Sequence, residues 1–231
     1  MKQTLRQIFA SLAVLTAASA AQAQPAPQPV VLELFTSQGC SSCPPANAAL
    51  AKVADRSDVV ALTFAVTYWD HLGWKDTFAR PEFTERQAIY AQALAQGASY
   101  TPEIVAGGRT GGVGNSDARL AALIAKGRAS SATTVVATDQ KISVAAGVAP
   151  SRGADVWLVR YDPRVVQVPI RAGENGGKTL PQRNIVRSLK NLGSWTGQPV
   201  TFAVPRADPT LRDVVLVQSR DGGPILAVGR L

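Results

Sequence analysis

Apolar side chains fill every position from Val30 to Phe35 except Glu33. A run this continuous predicts a strand covered on both faces, because a strand with one wet face alternates. Ala46 to Ala54 is rich in Ala and Leu, with Leu50 and Val53 on one side, and predicts a helix. Val59 to Tyr68 returns to strand character, with Val60, Leu62, Phe64 and Val66 sharing a face. Strand, helix and strand in so short a span predict a βαβ unit with parallel strands. Trp69 to Pro81 has no period and reads as an irregular insertion. Glu82 to Gln96 reads as a helix stopped by Gly97. Tyr100 to Ala106 reads as a strand that opens with a proline and turns at Gly107-Gly108 into a short strand, Arg109 to Val113. Asn115 or Ser116 can cap a helix that runs to about Lys126 and packs through Leu120, Leu123 and Ile124.

Past about residue 130 the pattern becomes one of short strands. Runs at Thr133–Thr138, Lys141–Ala145, Asp155–Tyr161, Arg164–Ile170, Ile185–Leu192, Val200–Val204, Val214–Gln218 and Ile225–Val228 predict them. Turns such as Asp162-Pro163 and Asp221-Gly222-Gly223 separate many of these runs, and the spacing suggests a sandwich. The expected organisation is an α/β domain over residues 30–130 followed by an all-β, sandwich-like domain over residues 131–231.

The first residues are of another kind. Lys2 and Arg6 are basic, Ile8 to Ala20 is apolar or small, and Ala21-Gln22-Ala23 offers the small-x-small pattern of a signal peptidase site. Residues 1–23 therefore read as a signal peptide, with a proline-rich linker at 24–29, and the protein is expected to be periplasmic or secreted. The apolar run is too short to span a bilayer about 30 Å thick, so no stable membrane insertion is expected after cleavage. Composition adds little. The chain of 231 residues is 46% hydrophobic and 17% charged, which is globular. Its formal charge of +8 falls to +6 when Lys2 and Arg6 leave. The basic residues are scattered, which predicts a solvated surface and no nucleic-acid partner.

The two cysteines, Cys40 and Cys43, lie past the leader in a disulfide-permissive context. A staple closing so short a loop would add little stability, so the pair calls for a chemical use. Between a strand and a helix, Cys40 is expected near free N–H groups that favour its thiolate, the attacking form. Cys43, one turn on, can resolve a mixed disulfide. Pro44-Pro45 fits a helix that starts at the motif, where the missing N–H groups cost little. His71, the single histidine, can assist proton transfer or favour the Cys40 thiolate; alternatively it packs with Trp69 and Trp74 in a surface loop. Structural zinc wants four ligands, which this chain does not offer, but two thiolates and His71 could hold copper. Glu174 to Leu180 is a Gly-rich loop without the flanks of a phosphate site. Asn184, Arg187 and Lys190 could line a groove, but read rather as a strand's solvent face or as a contact between domains.

Strand, Cys-x-x-Cys, helix and a later Thr-Pro opening a strand resemble the thioredoxin fold. The segments Phe35 to Pro45, Tyr68 to Asp76 and Gly173 to Leu180 resemble a bacterial family of secreted thioredoxin-like proteins, domain of unknown function 1223. The resemblance runs from about Val30 to the C-terminus. It implies a thioredoxin-like fold in the first half, a cis bond at Pro102 facing the cysteines, and a substrate-binding role for Thr101 and Pro102. The functional expectation is a thiol–disulfide oxidoreductase that needs no cofactor and acts on protein or small-molecule thiols and disulfides. The alternatives are copper delivery through the same thiols, or a binding module with an inert disulfide. Export predicts that mass spectrometry of protein from its native envelope finds Gln24 first; an abundant cytosolic form retaining Met1 would contradict it.

Overall fold

Strand β1 (Val30–Thr36) is buried at every position, as its apolar run requires. The computed structural model describes residues 27–138, 140–204 and 208–231. The expected leader at 1–23, and all of the linker before Pro27, lie outside these. After β1 come α1 (Pro44–Val53), β2 (Val59–Ala65), α2 (Pro81–Ala93), β3 (Glu103–Ala106), β4 (Thr110–Gly112) and α3 (Asp117–Gly127). The second half supplies β5 (Val135–Thr138), β6 (Lys141–Val144), β7 (Ala154–Asp162), β8 (Val166–Pro169) and β9 (Thr179–Gln182). It ends with β10 (Ile185–Trp195), β11 (Val200–Ala203), β12 (Arg212–Ser219) and β13 (Ile225–Arg230). No helix among the described residues is long and apolar enough to cross a membrane.

One eight-stranded sheet organises these elements, in the order β13-β12-β7-β10-β2-β1-β3-β4. Strands β1 and β2 are parallel, as are β2 and β10, and the other neighbours are antiparallel. Successive residues of β1 face opposite layers. Val30, Leu32 and Leu34 pack with Ala46, Ala49 and Leu50 of α1 and with Leu120, Leu123 and Ile124 of α3. Val31 and Phe35 face the other way, toward Phe83 and Tyr90 of α2 and Val159, Val186, Val214 and Leu216 from the second half. A three-stranded sheet, β11-β6-β5, closes a further core with Val156, Val215, Val217 and the buried Trp195. Strands β8 and β9 form a separate hairpin.

This architecture overturns the expectation of a thioredoxin-like α/β fold followed by an all-β sandwich-like domain. The chain is mostly β, with three α-helices among the described residues, and one mixed sheet crosses residue 130. The joint is specific. Ile185 registers with Thr63, Thr63 N–H donates to Asn184 O at 2.9 Å, and the buried Asn184 amide donates to Ala61 O at 2.8 Å. The reason is that apolar alternation fixes which face of a strand is buried and leaves its neighbour open. Strands that read as a second sandwich instead extend the first sheet.

Glu33, the polar break in the apolar run, lies on the α2 face at 0 % exposure. Arg86 of α2 meets it twice, Nε to Oε2 at 2.5 Å and Nη2 to Oε1 at 3.0 Å. Tyr90 Oη donates to the same carboxylate at 2.5 Å, and Gln218 of β12 accepts from Arg86 at 3.0 Å. The cluster thus ties α2, β1 and β12 together. Such a pair is weak evidence for stability, but breaking it leaves a buried charge alone. Arg86→Met is predicted to cost about 3–5 kcal/mol in urea unfolding, and Glu33→Leu on that background to recover most of the loss. A cost below about 1 kcal/mol would contradict this account.

Candidate functional site

The polypeptide leaves β1 at Thr36 and winds through three short turns into α1. Cys40 N–H donates to Ser37 O at 3.2 Å, Cys43 N–H to Cys40 O at 3.3 Å, and Ala46 N–H to Cys43 O at 3.0 Å. Asn47 Nδ2 spans the start of the helix, donating to Thr36 Oγ1 at 3.1 Å and Cys43 O at 3.3 Å. Pro44 and Pro45 occupy the first two helical positions. They bring no N–H groups, so donors that would otherwise crowd this helix start are absent.

Both cysteines are free thiols, and both have 0 % relative exposure. Cys40 is thus enclosed by the fold, with the Ser42 N–H as the backbone donor that favours its thiolate. Cys40 Sγ lies 3.2 Å from Ser42 Oγ and 3.9 Å from Thr101 O. Hydrogen bonding to the Cys43 thiol lowers the Cys40 thiol most; burial opposes it, and the Ser42 hydroxyl, the Thr101 side chain and the Ser42 N–H help bring it to about 6. Burial pushes Cys43 far upward, and the hydrogen bond and charge of Cys40 push the same way. The pair is thus asymmetric: one thiol ionises near neutral pH while the other holds its proton.

Two segments grip the cysteine loop. From the 69–80 insertion, Asp76 Oδ2 accepts from Gln38 N–H at 2.8 Å and Trp74 Nε1 donates to Gln38 Oε1 at 2.8 Å. Asp76 is buried, which raises its carboxyl to about 6 despite the N–H groups of Gln38 and Phe78. From the turn between β8 and β9, Asn175 Nδ2 donates to Gln38 O at 3.0 Å and Cys40 O at 2.8 Å. Glu174 Oε2 accepts from Ser41 N–H at 2.9 Å and Ser41 Oγ at 2.7 Å, which holds the Glu174 carboxyl below the usual range.

Of the residues singled out from sequence, Cys40, Cys43, Thr101 and Pro102 come together. The Thr101–Pro102 bond is cis, and Gln87 of α2 braces the preceding residue by donating to Tyr100 O at 2.7 Å. His71 does not join them. It is exposed on a short 3-10 turn, Asp70–Leu72, with Nδ1 2.8 Å from Tyr68 O. Among the described residues no three His, Cys, Asp or Glu side chains form a metal-holding group. Of the second-half polar residues, Asn184 is built into the sheet joint, and Arg187 bonds Asp162 at 3.1 Å over the ring of Phe78. Gln38, Asp76, Glu174 and Asn175 are the site residues that pattern reading passed over. The signal was available, since all four lie in the three segments that carry the family resemblance.

Fold and site define a dithiol protein whose Cys-x-x-Cys pair is held between the end of β1, an interior strand of a mixed eight-stranded sheet, and the start of α1. The chain belongs to the family described as "Protein of unknown function (DUF1223)", which matches residues 31–218. It is similar to Protein AGR_C_4864 from Agrobacterium tumefaciens, known from an X-ray crystal structure: 32% identity, TM-score 0.70, covering 91% of this chain and 96% of that one. It also resembles HBP35 of Porphyromonas gingivalis in fold, at 13% identity and TM-score 0.60, over 89% of this chain and 75% of that one. No curated protein matches significantly.

The contacts of Cys40 predict its titration. Thiolate absorbance of the reduced protein should rise with a midpoint near pH 6 and an amplitude of one thiolate. Ser42→Ala removes bonding to the charged form, so its midpoint should move upward. A midpoint in the free-thiol range near 8.5 would refute the assignment.

Proposed function

We propose that this protein exchanges thiols and disulfides through Cys40 and Cys43, on protein or small-molecule substrates of the cell envelope or exterior. The observation that carries the reading is the asymmetry of the pair: a thiol lowered to about 6 in contact with a thiol raised by burial. Cys40 as thiolate attacks a substrate disulfide, forming a mixed disulfide and releasing one substrate sulfur, which takes up a proton. Forming that bond removes the negative charge on Cys40, and with it part of what held Cys43 protonated. Cys43 then loses its proton and attacks Cys40 Sγ. The substrate leaves as a dithiol, and the protein is left with the Cys40–Cys43 disulfide. The reverse sequence oxidises a substrate. No cofactor enters either direction. The backbone at Thr101, with its carbonyl 3.9 Å from Cys40 Sγ, is the ledge against which an extended substrate would lie. The extracytoplasmic setting rests on the leader pattern of residues 1–23.

Removing the second thiol should stall exchange after its first step. Cys43→Ser is predicted to accumulate mixed disulfides through Cys40 in its native compartment, and Cys40→Ser to accumulate few. Equal trapping by both variants, or none by Cys43→Ser, would rule out this order of attack.

A further inference from the structure

An attacking thiol has to be reached, and Cys40 is fully covered. Something beside it must therefore move. The Thr101–Pro102 side is a poor choice, because it leads directly into β3, which is paired to β1 on one edge and β4 on the other. The turn between β8 and β9 is different. Its hairpin stands outside the eight-stranded sheet. From Gly173 to Thr179 only Asn175 is buried, and Glu174, Gly176, Gly177 and Lys178 are exposed. Gly173 and Gly177 have φ of +72° and +82°, the left-handed region that glycine enters at little cost. Gly173 lies beside the cysteine loop, since a Cβ there would sit in ordinary contact, 3.4 Å from Gly39 Cα and 3.6 Å from Trp74 Cβ. Side-chain bonds from this turn to the cysteine loop come from two residues, Glu174 on Ser41 and Asn175 on the carbonyls of Gln38 and Cys40. Lys178 Nζ in turn donates to Asn175 Oδ1 at 3.1 Å and orients its amide.

We infer that Glu174 and Asn175 are positioning residues that latch the Gly173–Lys178 turn onto the cysteine loop and so govern access to Cys40. The inference rests on the exchange reading, in which Cys40 is the attacking thiol. In the latched state Ser41 and the Cys40 carbonyl are held by the turn, and the sulfur is confined between Ser42 and Thr101. A substrate gains Cys40 by displacing the turn, so the latch selects partners able to compete for Ser41 and the two carbonyls.

Alkylation of the reduced protein by iodoacetamide, followed at Cys40 by mass spectrometry from about pH 4.5 to 9, separates access from ionisation. The midpoint reports the thiolate, and the plateau at high pH reports how often Cys40 is open. Glu174→Ala and Asn175→Ala should each raise the plateau about tenfold, the loss of one strong anchoring interaction. Glu174→Gln keeps an acceptor for Ser41 and should stay within about twofold of the wild type. Glu174 is exposed, so its alanine variant should fold normally, which circular dichroism and the thermal midpoint check; it carries the test even if Asn175→Ala unfolds. A Glu174→Ala plateau within about twofold of the wild type overturns the latch. So does a Glu174→Gln plateau as high as that of alanine, which would make the charge the cause. Alkylation needs no substrate disulfide, so it reads the latch even where the mixed-disulfide trap finds no exchange.

Discussion

A strand with no exposed residue must find cover on both sides, and in this chain that demand on β1 organises everything else. One side is met within the first half, by Ala, Leu and Ile side chains of α1 and α3. The other side is not. Helix α2 covers only part of it, and the rest is covered by Val159, Val186, Val214 and Leu216 from the distant second half. The first half thus lacks the residues to close its own core. The buried charge at Glu33 adds a second demand in the same place, answered by Arg86 and Tyr90 of α2, with Gln218 of β12 completing the cluster.

The site inherits its shape from this fold-back. Returning along β10 to sit beside β2, the chain brings the β8–β9 hairpin over the start of α1 and places Glu174 and Asn175 at the cysteines. The two prolines after Cys43 complete the arrangement by subtraction. With no N–H at Pro44 or Pro45, and with Ser41 N–H turned to Glu174, thiolate stabilisation falls to Cys43, Ser42 and Thr101. A helix start that reads as a source of dipolar stabilisation works through individual contacts, the Ser42 N–H among them.

What the sequence disclosed follows from the range of the forces involved. Strand β1, Pro44-Pro45 at the helix start and the Ser116 cap of α3 are set by neighbours a few residues away, and all three were legible. The alternation of Val156 and Leu158 and the apolar run Val214 to Val217 gave strands correctly but not their sheet, because apolar patterning names buried faces and not partners. Hairpin strand β9, Thr179–Gln182, went unseen because its four residues contain Pro181 and little apolar character. Cys40 and Cys43 were legible as chemistry. The burial of Cys40 was not, since it arises where segments distant in sequence meet, Thr101 lying 61 positions from the sulfur it touches.

That separation has a consequence for the life of the chain before it is finished. Glu174 lies 133 residues beyond Ser41, its hydrogen-bond partner. A chain made from its N-terminus therefore presents both cysteines well before the residues that hold their loop exist. For that interval the dithiol is open to any oxidant or electrophile it meets. The newborn polypeptide and the finished protein thus differ in chemical reactivity at the same two atoms.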